Sequence, residues 1–225
     1  CSLVGSEMCI RDRRHTAPDP FVIRYRDLYY CYATDERGVL ISTSPDLVRW
    51  TPRGYCYTEE RRKNFWAPSV IIINGVFHMY FSNMPQDESD THTEIMRVAV
   101  SGNPLGPFEK KAELFDTFAI DSQVVRGDDG QLYLLYADNQ VCGLSELRPG
   151  TSVMVDRMST PYRREGKPKP LILPTLDEEI FARDRFGDGR DWHTVEGATY
   201  FTYRDKAFIL SLIHISEPTR LQLIS

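Results

Sequence analysis

Residues 119–136 read AIDSQVVRGDDGQLYLLY: an acid, a short β-branched run, a D-D-G turn and an aromatic-rich run. Glycine tolerates the φ > 0 that a tight turn requires, so Asp129-Gly130 between two such runs predicts a hairpin with a two-residue turn. The same phrase recurs three times. Residues 17–32 (APDPFVIRYRDLYYCY) carry Asp19 at the acid's place, residues 66–81 (WAPSVIIINGVFHMYF) carry Ala67, and residues 195–210 (VEGATYFTYRDKAFIL) carry Glu196. These positions are 48, 54 and 75 residues apart (19 to 67, 67 to 121, 121 to 196). Periods of roughly 40–50 residues with several strands each belong to β-propeller blades, and the longer third spacing implies an insertion.

Working outward, unit one runs from about His15 to Arg53, with strands expected at 21–26, 28–34, 38–43 and 48–57. Unit two opens at Phe65 and has the strand pair 69–73 and 76–82, a polar loop at 84–94 expected to be exposed, and a strand at 95–101. Unit three adds VCGLSEL (141–147) and a strand near 151–156 to the opening stretch. A polar insertion at 157–193 follows, and its segment 177–191 is expected to be exposed beside the cleft. Unit four is read as stopping near Leu210, about two strands in. The expected fold is all-β: an incomplete propeller with about three and a half blades present.

The composition excludes several classes. Of 225 residues, 41% are hydrophobic and 26% charged, and the net charge is −5, with no basic stripe interleaved with aromatics to suit nucleic acid. The longest apolar runs fall far short of a membrane span. Five cysteines form no C-x-x-C pair and no zinc spacing, which argues against a disulfide framework and leaves the compartment open. The five histidines show no metal-ligand spacing, and G-x-S-x-G, H-E-x-x-H, P-loop and dinucleotide motifs are all missing.

In a propeller the first strand of each blade lines the central channel, so Asp19, Asp121 and Glu196 are expected to converge at one mouth of it. Converging carboxylates are costly unless one stays protonated or a cation binds, which makes the trio a functional candidate. The competing reading gives each acid a turn to cap or an arginine partner. Phe65 and Trp66 precede the axial position of unit two and are candidates for an aromatic platform on which a ligand ring stacks, or else for core between blades. His193 lies three residues before Glu196 and is a candidate to reach the site.

The stretches APDPFVI, FWAPSV, SGNPLGPF, AIDSQVVRGDDGQLYL and VEGAT, in this order over about residues 15–210, resemble glycoside hydrolase family 43. The resemblance implies a five-bladed β-propeller, and an arabinofuranosidase, β-xylosidase or arabinanase acting on plant polysaccharide or oligosaccharide. It implies that Asp19 is the general base, Asp121 the acid that orients and tunes its neighbour, and Glu196 the general acid. Ser122 and Ala198 stand where proline is common in the family. Inverting hydrolysis fits these residue types, since it needs one protonated carboxyl and one ionised carboxylate whose pKa values are driven apart. No cofactor is called for, a structural calcium is left open, and nucleic acid and membrane are not expected partners; oligomeric state and localisation stay open. Two alternatives are a non-catalytic carbohydrate-binding propeller and a fructoside-acting propeller enzyme.

Residues 1–13 and 211–225 break from the repeat and resemble translated sequencing-adapter DNA, so they are expected to be non-native flanks of a partial glycosidase domain at 14–210. On that reading the flanks find no partner strand. An open ring is also expected to be inactive and prone to pair through its unprotected edges.

Overall fold

The computed structural model describes residues 16–139, 148–204, 206–213 and 220–224, with side chains omitted for 213 and 220–224. The stretch 141–147, expected as part of unit three, and the flank 1–13 lie outside the described residues.

Each repeat folds into an antiparallel meander. The first is β1 (Phe21–Tyr25), β2 (Leu28–Ala33), β3 (Val39–Ser44) and β4 (Thr51–Tyr57), in that spatial order. The second is β5 (Arg62–Ile73), β6 (Val76–Pro85), β7 (Ile95–Ser101) and β8 (Glu109–Glu113). The third has β9 (Ile120–Arg126), β10 (Leu132–Asp138) and β11 (Gly150–Thr160), with β12 (Arg163–Arg164) and β13 (Lys169–Ile172) sharing the outer side of β11. After β14 (Ile180–Ala182), the fourth has β15 (Trp192–Tyr203), β16 (Lys206–Ile213) and β17 (Arg220–Ile224). The chain is therefore all-β, an incomplete five-bladed propeller.

Three expectations change. The D-D-G hairpin closes through a loop at 127–131, longer than a two-residue turn, with Leu132 paired to Arg126. Gly127 N–H donates to the Gln131 carbonyl, while the Asp129 carboxylate accepts from Gln131 N–H and Tyr133 O–H. These side-chain bonds make the longer loop as well satisfied as a tight one. The segment 157–193 is not a plain polar insertion. It completes β11, supplies the outer strands of the third blade and adds β14. In the flank 211–225, expected to stay unpaired, β17 pairs with β16 from Ala207↔Ile224 to Ser211↔Arg220. An exposed strand edge offers a row of unpaired N–H and C=O groups, and a β-compatible segment that reaches it can pair there.

The blades pack face to face, and strand alternation decides which interface each residue serves. On β6, Phe81 joins the cluster between the first two blades with Tyr32, Val39 and Phe65, whereas Tyr80 joins the cluster between the second and third with Met96, Leu134 and Met154. On β10, Leu134 serves that second cluster and Leu135 a third one with Val153, Val195 and Ile209. Middle strands buried on both sides read as near-continuous apolar runs for this reason. The third and fourth blades are further joined where β11 meets β15 in parallel at Gly150↔His193 and Thr151↔Thr194. A Cβ at position 150 would overlap the His193 backbone, so only glycine permits this approach.

The same alternation corrects one of the candidate sugar contacts. Phe65 is fully buried between the first two blades, stacked on Phe81 at 6.0 Å between ring centroids and edge-on to Tyr57 at 5.9 Å. It is core and faces away from its neighbour Trp66. Phe65→Ala should therefore destabilise the fold by about 3–5 kcal/mol, with Trp66→Ala costing less; urea unfolding midpoints of the two variants check this.

Candidate active site

The innermost strand of every blade carries the same irregularity. On β5 the pairing with β6 jumps from Trp66↔Ser82 to Ser69↔Tyr80, so 67 and 68 face a single residue. On β9 it jumps from Ile120↔Ala137 to Gln123↔Leu135, and on β15 from Glu196↔Leu212 to Thr199↔Leu210. Just before β1, Thr34 N–H donates to the Pro18 carbonyl while Phe21 pairs with Tyr32, which leaves 19 and 20 in the same place. Each bulge begins with a left-handed residue: Asp19 (φ 47°), Ala67 (φ 41°), Asp121 (φ 56°) and Gly197 (φ 64°). Bulges of this kind re-aim side chains and sit beside functional sites.

The structural repeat therefore corrects the sequence alignment in the fourth unit. Gly197, not Glu196, is the equivalent of Asp19, Ala67 and Asp121; Glu196 is the equivalent of Trp66 and Ile120, one residue earlier. Matching by carboxylate shifted the register by one, because the φ > 0 position defines the repeat and glycine takes it most readily. The two departures from the family's proline, Ser122 and Ala198, fall at one structural position, the second residue of the bulge, where Pro20 and Pro68 stand in the first two blades.

Despite the offset, Asp19, Asp121 and Glu196 line one cavity of about 580 Å³. Neighbouring blades hold the acids. Gly197 N–H, from the fourth bulge, donates to Asp121 Oδ2 at 2.9 Å. Ala67 N–H, from the second bulge, donates to Thr34 Oγ1 at 2.9 Å, which commits that hydroxyl to donate onward to Asp19 Oδ2 at 2.6 Å. Gln123 adds a further tie between third and fourth blades, its side-chain oxygen accepting from Tyr200 N–H at 2.6 Å.

Burial, and then repulsion from Asp19, pushes the Glu196 carboxyl well above the ordinary carboxylate range. Burial also raises Asp121, reinforced by the charges of Glu196 and Asp19 and opposed by the Gly197 N–H. That amide favours the ionised form of Asp121. Burial and mutual repulsion thus hold both Asp121 and Glu196 toward their protonated forms at one end of the cavity.

Trp66 and Phe118 line the cavity on its aromatic side, as the sequence expected of Trp66 but not of Phe118. His92, from the loop read as exposed, also lines it, and so do Phe181 and Arg185 from the insertion. Nothing in the local pattern marks these residues, because loops distant in the chain meet there only after the blades pack. His193 does not reach the acids. It is buried on the other face of β15, beside a separate cavity of about 330 Å³. There Arg148 Nη1 lies 3.2 Å from His193 Nε2, and His193 Nδ1 lies 3.1 Å from the Asp191 carbonyl. Arginine only donates, so the ring proton sits on Nδ1. Strand alternation is the cause: Thr194 and Glu196 face the acid cavity and residue 193 faces away. Among the described residues, no group of three or more His, Cys, Asp or Glu is arranged to hold a metal ion.

The raised carboxyls have a consequence for stability. The folded chain keeps a proton that the unfolded chain releases, so stability is highest in acid and falls as pH rises from the ordinary carboxylate range to neutrality. Glu196→Gln removes the charge that would otherwise be forced beside Asp19 and Asp121. It should melt higher than the parent at pH 8, with the gain shrinking toward pH 5; equal gains at both values would contradict a raised Glu196 carboxyl.

The sequence pattern of the Glycosyl hydrolases family 43 matches residues 14–212. The extracellular exo-alpha-(1->5)-L-arabinofuranosidase of Streptomyces avermitilis is 25% identical, the match covering 72% of this chain and 35% of that protein. A thermostable family-43 glycoside hydrolase of known structure is 28% identical with a TM-score of 0.72, covering 88% of this chain and 64% of the other. The endo-arabinase from Bacteroides thetaiotaomicron has the same fold at 17% identity, with a TM-score of 0.72 over 93% of this chain and 75% of its own. This chain spans about a third of the length of its curated relative. With the repeated bulges, the acids they aim and a match over residues 14–212, the chain belongs to glycosyl hydrolases family 43.

Proposed function

We propose that the three acids hydrolyse O-glycosyl bonds with inversion, acting on terminal or internal pentosyl linkages of plant polysaccharide or oligosaccharide. The observation that carries this reading is the division of labour among the carboxyls. Asp121 accepts from the Gly197 amide of the next blade, Asp19 accepts from the Thr34 hydroxyl that the Ala67 amide of the next blade holds, and burial with repulsion from Asp19 raises the Glu196 carboxyl. Glu196 donates its proton to the departing oxygen as the C–O bond breaks. Asp19 takes a proton from the water that attacks the opposite face of the anomeric carbon. Asp121 accepts from the Gly197 amide and so orients the bulge that carries Glu196, while the charge of Asp19 raises the Glu196 carboxyl. Trp66 offers the cavity an aromatic face for a sugar ring. The pentosyl assignment is supported by the curated relative, which is named for arabinofuranosidase action.

A purely binding propeller has no use for three repelling carboxylates, two of them on strained backbone, which favours turnover over the binding alternative. In a protein with all five blades, Glu196→Gln should lower turnover of natural oligosaccharides by about 10²–10⁴-fold. Aryl glycosides with good leaving groups need little protonation and should lose much less. Asp19→Asn should suppress both, because the water stays unactivated; equal losses for both substrate types in Glu196→Gln would remove Glu196 from the acid's role. The Asp19 and Glu196 carboxyls should lie about 6.5–9.5 Å apart in a substrate complex. Retained configuration at the anomeric carbon, read by NMR of the first-formed sugar, would overturn inversion.

A further inference from the structure

We propose that Phe181 and Arg185 form a second sugar subsite, which binds the ring next to the one held over the acids; this rests on the glycosidase reading above. Both residues come from the segment between β13 and β15, outside the four-stranded blade plan, yet both line the cavity that holds Asp19, Asp121 and Glu196. Arginines 183 and 190, on either side, are spent on carboxylates: Arg183 on Asp191 at 3.1 Å and Arg190 on Asp188 at 2.6 Å. Arg185 has no such ion pair among the described residues, although segment 177–191 holds six acids against three arginines.

It is instead oriented by neutral contacts. Its Nη2 lies 3.0 Å from His92 Nε2, and because arginine only donates, the ring proton of His92 sits on Nδ1 and reaches Asp90 Oδ1 at 2.8 Å. The guanidinium lies over three aromatic rings, 5.1 Å from Phe181, 5.4 Å from Trp192 and 5.6 Å from Phe186. Packing on aromatic faces fixes the plane of the guanidinium at small entropic cost, while the His92 contact uses one of its five N–H donors. Phe181 is 44% exposed, so its ring offers an apolar face beside those donors. An apolar ring face with a fixed planar donor fork matches a sugar, which presents C–H groups on its face and vicinal hydroxyls at its edge. Three carboxyl groups in the same cavity disfavour an anionic ring, so the ligand is a neutral sugar.

The test is calorimetric binding to the full chain carrying Glu196→Gln, which blocks turnover. The probes are arabinotriose, xylotriose and the two free pentoses. Arg185→Ala and Phe181→Ala should each lower the ratio of trisaccharide to monosaccharide affinity at least tenfold, and Arg185→Lys, which keeps the charge but not the fork, should restore little of it. Melting curves matched to the parent confirm that the variants are folded. Ratios within twofold of the parent in both alanine variants overturn the subsite while leaving the glycosidase reading intact. A parent that binds none of the sugars and cleaves no aryl pentoside overturns both. Trisaccharide affinity that is kept in the Lys variant would mean that the planar donor fork is not what recognises the sugar, and would overturn the role given to Arg185.

Discussion

The left-handed bulge at the inner end of each blade is the constraint on which the rest depends. Asp19, Ala67 and Asp121 hold φ values of 47°, 41° and 56°, a conformation that costs a residue with a Cβ about 1–2 kcal/mol. Only surrounding structure that over-determines the conformation can keep it there. Here the structure is mutual: the amide of one blade's bulge holds the acid of the blade before it, directly from Gly197 to Asp121 and through the Thr34 hydroxyl from Ala67 to Asp19. The strain that re-aims the side chains is thus stabilised by the groups it aims.

That arrangement also sorts the charges. Three carboxyl groups around one cavity repel one another, and burial penalises the ionised forms of Asp121 and Glu196. The Gly197 amide opposes the rise at Asp121, and the raised carboxyls of Asp121 and Glu196 weaken the fold as the pH climbs out of the ordinary carboxylate range.

Between the blades the logic is ordinary packing. Alternate residues of a middle strand face opposite neighbours, so Tyr80 and Phe81, or Leu134 and Leu135, belong to different cores although they adjoin in the chain. The insertion before β15 uses the stiffness this gives. It needs no core of its own to project Phe181 and Arg185 over the cavity, because β14 pairs with β15 at Ile180↔His193.

Repeated strand runs, turn residues between them and an acid at the head of three of the four runs made the blades, their order and the three carboxylates legible from the chain alone. These are local signals, set by backbone sterics and strand alternation. The same signals could not place Glu196 one residue from its apparent equivalents, because the bulge register depends on which residue takes φ > 0 once β15 pairs with β16. Nor could they tell Phe65, sealed in the first interface, from Trp66, open to the cavity, or His193 from Thr194 on the two faces of one strand. Alternation says that such neighbours diverge, but which of them meets the channel is decided by how whole blades stack. Thr34 meets Asp19 across 15 residues of chain and Arg185 meets His92 across 93, and no local pattern encodes contacts that exist only after those blades have closed around a common axis.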